Sequence, residues 1–238
     1  MRVGINASFL RKQNTGIGQV SANFLKKIAE VESSKSKILK GNTEFFIYLE
    51  EDVDLKLPES DVLSGVRFHK RIFLPPYKRD DLIRRIWWEK YLLPKKVRED
   101  KCDILFSLYQ SATSLEKSAK HIMLVHDIIP KLFPQYLNNW RKKIYQKLTE
   151  EAIKKTDKII AISHRTEKDL IRHLGIDAKK ITVSYIDVAE IYKKEVSEEE
   201  SARVLKKYNL EAGYIYNGGG LEVRKNVEGV MRAYKILA

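Results

Sequence analysis

The sequence of residues 121–174 is HIMLVHDIIPKLFPQYLNNWRKKIYQKLTEEAIKKTDKIIAISHRTEKDLIRHL, in which two short apolar runs each precede a longer amphipathic run. We predict strands at residues 121–125 and 158–162, and helices at residues 137–154 and 165–174. Continuous apolar runs of this length are typical of strands that are covered on both faces. Strands that alternate with helices pair in parallel. This stretch therefore predicts an α/β fold with a mainly parallel sheet.

The same alternation extends toward both ends of the chain. Further strands are predicted at residues 3–9, 44–49, 66–73, 103–108, 181–185 and 214–216, and further helices at residues 18–31, 79–97, 198–208 and 226–237. Residues 33–41 are predicted to form a loop, and residues 187–200 a charged linker, because both stretches are polar. We therefore divide the chain into a domain over 1–186, a linker and helix over 187–212, and the beginning of a second domain over 213–238.

The composition excludes several classes of protein. Among 238 residues, 43% are hydrophobic and 10% aromatic, which supplies a packed core and excludes global disorder. Cys102 is the single cysteine, so a disulfide scaffold is excluded and the cytoplasm is the expected compartment. The sequence shows neither a membrane-spanning apolar run nor an export signal. The net charge of +13 favours anionic partners, but no nucleic-acid recognition motif is present, so we expect no nucleic-acid binding.

The first candidate site is the sequence NTGIGQ at residues 14–19. Gly16 and Gly18 allow the backbone to approach a ligand, and the N–H groups at a helix start suit an anion such as a diphosphate. An ordinary glycine turn fits the same residues. The chain does not match the dinucleotide fingerprint, because Ser21 occupies the third glycine position. This mismatch counts against an NAD-dependent dehydrogenase.

The second candidate site is the pair His126 and Asp127, which directly follows the strand predicted at residues 121–125. Open parallel sheets bind ligands outside the carboxyl ends of their strands. Histidine donates or accepts a hydrogen bond near neutral pH, and a carboxylate can bind a hydroxyl group. The alternative interpretation is a loop histidine beside an aspartate that forms a turn before Pro130.

Two further groups precede predicted helices. Ser163 is placed to cap the helix at residues 165–174, and a role in the site is the secondary interpretation. The sequence NGGGLEVRKN at residues 217–226 combines a glycine turn with Arg224 and Lys225, and cations beside a helix N-terminus suit a diphosphate. A solvated basic pair would have the same sequence. The histidines and the cysteine follow no zinc spacing, so no metal site is predicted.

Four segments together resemble the family 4 retaining glycosyltransferases of the GT-B fold, most closely mannosyltransferase-like members that build surface polysaccharides. The segments begin at residues 15, 126, 156 and 214, and they are TGIGQVSANFLKKIA, HDIIPKLFP, TDKIIAISHRTEKDLIRHLGI and YIYNGGGLEVRKNVEGVMRAYKIL. The resemblance implies a Rossmann-like parallel sheet with helices on both faces as the acceptor domain. The first βα unit of a second Rossmann-like domain, which binds the nucleotide sugar, would follow it.

The resemblance implies the transfer of a hexose with retention of configuration. The expected donor is a nucleotide sugar, and GDP-mannose is the most favoured candidate. The expected acceptor is a glycan or a lipid-linked sugar. Neither a cofactor nor a metal is required. Gly16 and Gly18 match the loop that faces the donor diphosphate, and Arg224 and Lys225 match the basic positions that contact the donor phosphates. Weaker matches, as contacts to the donor or acceptor, are Ser163, Glu222 and Asn226.

The same resemblance implies that His126, with Asp127 beside it, has a catalytic role near the transferred sugar. The acidic Glu-x7-Glu element that contacts the donor in this family would lie downstream of residue 238. The sequence is therefore expected to represent the front part of a longer design, whose missing domain a partner chain could supply. The alternative is a non-catalytic half that acts as an acceptor-binding or partner-binding subunit.

One amphipathic segment bears on the acceptor. Residues Lys78 to Arg98 have the sequence KRDDLIRRIWWEKYLLPKKVR, which interleaves basic and aromatic side chains. A basic helix with exposed aromatic residues can lie on an anionic membrane surface, where a lipid-linked acceptor is found. In the alternative interpretation the apolar residues pack against the sheet and the charges are solvated. We expect a cytoplasmic protein, with peripheral contact at the inner face of the membrane if the first interpretation holds.

Overall fold

The computed structural model describes residues 1–33, 42–54, 66–75, 81–116, 118–218, 220 and 222–237. The chain divides into two compact units, Met1–Asp187 and Val188–Ala238. Most of the loop predicted at residues 33–41 lies outside the described residues. None of the helices in the described part of the chain combines the length and apolar character that a membrane crossing requires.

The first unit contains a seven-stranded sheet in the order β3-β2-β1-β4-β5-β6-β7, with every neighbouring pair parallel. The strands are β1 (Arg2–Asn6), β2 (Thr43–Leu49), β3 (Val66–Ile72), β4 (Ile104–Ser107), β5 (Lys120–Val125), β6 (Lys158–Ala161) and β7 (Ile181–Val183). The predicted parallel α/β sheet is confirmed. Five of the seven strands end one to three residues before the predicted ends.

Helices join the strands of this unit. They are α1 (Gly16–Ser33), α2 (Asp81–Trp87), α3 (Leu93–Glu99), α4 (Ile129–Leu132), α5 (Trp140–Lys155) and α6 (His164–Leu174). Asn139 caps α5 by accepting a hydrogen bond from the Lys142 N–H, and Gly175 ends α6 in the left-handed conformation with φ 67°. A polar residue before the helix and a glycine after it are common helix signals.

The helix predicted at residues 79–97 is interrupted in its middle. A π-helical turn at Trp88–Leu92 separates α2 from α3, and the Leu93 N–H donates to the carbonyl oxygen of Trp88, five residues earlier. Pro94 lies at the start of α3 and has no N–H to donate to the preceding turn. A widened turn at this point accommodates the lost hydrogen bond, and π turns are frequent at functional sites.

Helices cover both faces of the sheet. Alternate residues of a strand point to opposite faces, and in β2 the side chains of Phe45 and Ile47 pack in one buried cluster while Phe46 and Tyr48 pack in another. Leu25 of α1 belongs to the first of these clusters. Members of the second cluster from the α2–α3 segment are Trp88, Leu93 and Val97. Buried residues of β5, β6, α5 and α6 form a third cluster.

The second unit contains α7 (Glu198–Tyr208) and α8 (Val227–Leu237), with short 3-10 turns at Glu190–Lys193 and Val223–Lys225. The bounds predicted for α7 are confirmed. The strand predicted at residues 214–216 is not formed, since residues 214–218 are neither helix nor strand. A strand requires a hydrogen-bonded neighbour, and all the strands within the described residues belong to the first unit. Of the predicted βα unit, only the helix is present in the described part of the chain.

Candidate active site

Three of the predicted site residues of the first unit, His126, Asp127 and Ser163, lie at the carboxyl edge of the sheet. The order of the strands reverses between β1 and β4, because β2 lies on one side of β1 and β4 on the other. Ligands of open α/β sheets bind at such a reversal, outside the carboxyl ends of the strands. His126 and Asp127 follow β5, and Ser163 follows β6. Since all strands are parallel, these predicted residues lie along one edge.

His126 is held in a defined orientation at this edge. Its side chain is 8% exposed, and Nε2 lies 3.1 Å from the carbonyl oxygen of Leu108, so Nε2–H donates and Nδ1 remains an acceptor. Burial lowers the pKa of His126, although the Leu108 carbonyl and Asp127 act in the opposite direction. The imidazole is therefore neutral near pH 7.

Asp127 forms the turn that the alternative interpretation anticipated. Its Oδ1 accepts a hydrogen bond of 2.9 Å from the Ile129 N–H, immediately before Pro130. Oδ2 accepts no hydrogen bond from the described residues, and Asp127 lines a cavity. The turn and a role in binding are compatible, because each uses a different oxygen.

Gln110, which the sequence analysis did not identify, fixes the backbone of this pair. Its Oε1 accepts from the His126 N–H at 3.2 Å, and its Nε2 donates to the carbonyl oxygen of Asp127 at 3.2 Å. The Thr166 hydroxyl donates to the carbonyl oxygen of His126 at 2.9 Å. A glutamine shortly after a strand carries no local signal, since its partners are distant in the sequence.

A buried carboxylate, Glu89, connects α2, the segment after β4 and α5 through hydrogen bonds. Glu89 is 0% exposed, and its Oε1 accepts hydrogen bonds from Arg85 Nε at 2.9 Å and from the Tyr109 hydroxyl at 2.8 Å. Its Oε2 accepts from the Ala112 N–H at 2.7 Å and from the Tyr145 hydroxyl at 3.0 Å. The interpretation of these charges as solvated was wrong for Arg85 and Glu89. Their spacing of four residues beside apolar neighbours was the available signal.

Ser163 caps α6, as the first interpretation predicted. Its Oγ accepts a hydrogen bond from the Thr166 N–H at 3.1 Å. The Thr166 side chain is buried and in turn contacts the His126 backbone. The cap thus helps to fix the residue that comes after β5, and a contact of Ser163 with a ligand stays a prediction.

The glycine turn before α1 has a structural reason at one position. The Thr15 hydroxyl donates to the carbonyl oxygen of Lys12 at 2.8 Å and accepts from the Gly18 N–H at 3.2 Å. A Cβ atom at Gly18 would overlap the Lys12 carbonyl group, whereas one at Gly16 would meet open space. Gly18 is therefore required by packing. The N–H groups of Gly16 and Ile17, in the first turn of α1, remain available to an anion.

A cavity of about 320 Å³ opens at the same edge. A volume of this size suits a small sugar, because ligand pockets occupy ~300 to 1,000 Å³. His126 does not line it. Its walls are formed by Phe9, Ile17, Arg85, Gln110, Asp127, Ile128, Pro130, Tyr136, Leu137, Lys142, Tyr145, Gln146, Thr149 and Ile153.

The predicted phosphate residues Arg224 and Lys225 belong to the second unit. They form a 3-10 turn directly before α8, and Asn226 adopts the left-handed conformation between them and the helix. Arg224 pairs with Glu222 at 2.6 Å, so Glu222 orients the guanidinium rather than standing apart from it. Across the described residues of both units, no group of three or more metal-binding side chains occurs.

Comparison with known proteins identifies relatives of this arrangement. The model of the glycosyltransferase family 4 domain matches residues 48–185. A curated relative, the O-antigen chain mannosyltransferase B of Escherichia coli, is 29% identical over 113 residues, which are 47% of this chain and 29% of that protein.

Solved structures with a similar fold are known from several bacteria. HepE of Anabaena in complex with UDP-glucose overlaps 88% of this chain and 50% of its own, with 13% identity and a TM-score of 0.49. The apo form of the lipopolysaccharide outer core galactosyltransferase WaaB overlaps 79% of this chain and 46% of its own, with 16% identity and a TM-score of 0.41. This chain thus spans about half the length of these structures or less. Because the family model covers more than half of its residues, the chain belongs to glycosyltransferase family 4.

Proposed function

We propose that this chain is part of a glycosyltransferase that moves a hexose from a nucleotide-sugar donor to a glycan or lipid-linked acceptor. The observation that carries the proposal is the family match over residues 48–185, which include β3 to β7 and the edge that holds His126 and Asp127. Mannose is the sugar we propose first, and surface polysaccharide the product, because the curated relative is named an O-antigen chain mannosyltransferase.

The residues of the chain are suited to a transfer in which the leaving group is a diphosphate. In the first unit, the N–H groups at the start of α1 suit the developing negative charge of a phosphate. In the second unit, Arg224 and Lys225 are by themselves suited to bind phosphate. His126 is neutral, and its Nδ1 can accept a hydrogen bond from a sugar hydroxyl. Oδ2 of Asp127 can accept another. We propose retention of configuration without a metal. The bond between the sugar carbon and the diphosphate breaks, the acceptor hydroxyl oxygen forms its bond on the same face, and its proton passes to the leaving diphosphate.

Peripheral contact with a membrane is part of the same proposal, but with fewer residues than the sequence suggested. Trp88, Leu93 and Val97 are 0% exposed, so these apolar side chains pack against the sheet. Trp87 and Tyr91 are 45% and 54% exposed and remain available to a lipid surface. Contact through this pair at the cytoplasmic face of a membrane would bring the protein to a lipid-linked acceptor.

Calorimetric titration of the 238-residue chain with GDP-mannose, UDP-glucose and the free nucleotides tests the proposal. We expect at least one nucleotide sugar to bind with a Kd of about 1 mM or tighter, which corresponds to roughly 4 kcal/mol. The double variant Arg224→Ala, Lys225→Ala should weaken this binding about tenfold or more, because charge-assisted hydrogen bonds to phosphate are lost.

A matched control is the double variant Lys206→Ala, Lys207→Ala, which removes two cations from the last turn of α7 in the same unit. It should bind the donor as the unmodified chain does. Absence of binding with all four ligands would contradict the proposal. Equal weakening by the two double variants would show that net charge, rather than a phosphate site, attracts the donor.

A further inference from the structure

Arg85 stands out in the cavity because most of its hydrogen-bonding capacity is unused. Its Nε donates to Glu89, and neither Nη atom donates a hydrogen bond to any described residue. The side chain is 17% exposed and lines the cavity, so the unused donors are open to an occupant.

Glu89 does not compete for these donors, since its oxygens are already occupied. Besides Arg85 Nε, they accept hydrogen bonds from Tyr109, Tyr145 and the Ala112 N–H. The carboxylate therefore holds the guanidinium in place through Nε and leaves the Nη edge free. This is the edge that binds carboxylate and phosphate groups with two parallel hydrogen bonds.

Aromatic rings surround the guanidinium. Its central carbon lies 4.6 Å from the ring centroid of Phe9, 4.8 Å from that of Tyr145 and 5.2 Å from that of Tyr109. Rings at these distances stabilise the cation and restrict its rotation. A restricted fork needs little further ordering when it binds a ligand, which favours affinity.

The other polar groups of the wall favour a sugar that carries an acid. Lys142 adds a second cation, at 3.4 Å from the carbonyl oxygen of Tyr136, while Asp127 is the single carboxylate among the residues that line the cavity. Thr149 also lines the cavity, and its hydroxyl has no partner among the described residues. Gln110 and Gln146 also line the cavity, and each amide has a hydrogen-bonding position left for a hydroxyl group beyond its bonds to residues 126–127 and to Glu150, respectively.

We propose that this cavity binds the anionic group of an acidic sugar, either a carboxylate or a phosphate, with the two Nη atoms of Arg85 as its anchor. The inference rests on the proposed function, in which this sugar is the acceptor. It narrows the acceptor from any glycan to one that carries an acid close to the hydroxyl that reacts. The overall charge of +13 attracts such acceptors from solution.

The test compares acidic and neutral sugars of the same size in the absence of any nucleotide sugar. Methyl β-glucuronide, glucose 6-phosphate and methyl β-glucoside are titrated into the full chain, and binding is followed by amide chemical shifts. We expect one acidic sugar to bind about tenfold more tightly than the glucoside, because hydrogen bonds to a charged group are worth more than neutral ones. Which acid binds distinguishes a carboxylate from a phosphate.

Two variants and one control locate the binding. Arg85→Lys keeps a positive charge opposite Glu89 but removes the fork, and it should abolish the preference for the acid. Lys142→Met changes an exposed side chain and should weaken only the acidic sugar, by about threefold. Arg84→Lys is the matched control, because Arg84 is the neighbouring arginine, pairs with Glu50 at 3.2 Å and does not line the cavity. It should leave all affinities unchanged.

Equal affinity for acidic and neutral sugars, no binding of either acid, or an unchanged preference for the acid in Arg85→Lys would overturn the proposal. Its failure is distinguishable from failure of the proposed function. If the chain binds a nucleotide sugar but no acidic sugar, the transferase proposal is supported and the acidic-sugar proposal fails. If the chain binds an acidic sugar but no nucleotide sugar, the anion-binding cavity is supported and the transferase proposal fails.

Discussion

His121 is the residue whose burial has the clearest consequence for stability. It is 3% exposed, its Nε2 lies 2.9 Å from the hydroxyl oxygen of Ser107, and its backbone N–H donates to Asp157 Oδ2. Burial lowers the pKa of His121 from 6.5 to about 4, against the smaller influence of Asp157. Because the folded pKa lies below the unfolded one, the unfolded chain binds the proton first as the pH falls. Stability is therefore lost between pH 6.5 and 4.

We expect the preferential protonation of His121 in the unfolded chain to lower the free energy of unfolding by about 2 to 3 kcal/mol between pH 7 and pH 4.5. Urea unfolding of the unmodified chain and of His121→Gln at both pH values measures it. The variant is less stable at pH 7, since it disturbs a buried site, but its disadvantage should shrink at pH 4.5. Parallel losses in the two proteins would show that His121 does not carry the effect.

At the residue scale, sequence patterns identified the residues that lie directly after a strand but not the distant residues that contact them. The pair His126 and Asp127 and the cap Ser163 were predicted because each comes at the end of an apolar run. Gln110 and the charged cluster around Arg85 were missed. Their partners lie sixteen or more residues away in most cases, and such contacts exist only after the sheet has brought the segments together.

At the scale of elements, the start of α1 shows which glycine the fold requires. A Cβ at Gly18 would overlap the Lys12 carbonyl, whereas one at Gly16 would have no neighbour within 4 Å. We expect Gly18→Ala to lower the unfolding free energy by about 1 to 3 kcal/mol, as overpacking does. Gly16→Ala should cause no loss, and thermal unfolding of the two variants compares them. Similar melting temperatures for both would contradict a packing role of Gly18.

Helices and strands were predicted correctly where the apolar periodicity is strong. The predictions were wrong where a contact with another segment determines the local structure. The parallel sheet followed from the apolar runs, and the bounds of α7 from apolar residues at helical spacing. The π-helical turn at Trp88–Leu92 was missed, because helical spacing does not reveal how a helix adapts to a proline. The strand predicted at residues 214–216 had the composition of a strand, but the described residues supply no partner for it.

At the scale of the whole molecule, burial is confined to one of the two units. The buried side chains among the described residues lie between Val3 and Ile176, and α7 and α8 contain none. The cavity that contains Arg85 is likewise formed by residues 9–153 alone. The core and the proposed acidic-sugar site should therefore both persist in a fragment of residues 1–187.

We expect removal of residues 188–238 to change the unfolding free energy of the remaining unit by less than about 1 kcal/mol. In a domain of this size, 1 kcal/mol corresponds to roughly 2 to 4 °C, so the fragment should unfold within about 2 °C of the full chain. Differential scanning calorimetry of both proteins measures this shift. In titrations with the same sugars, the fragment should retain its preference for the acidic sugar, but it should bind the nucleotide sugar more weakly because Arg224 and Lys225 are absent. A fragment that melts much earlier, or that binds the donor as well as the full chain, would show that the two units do not divide stability and donor binding in this way.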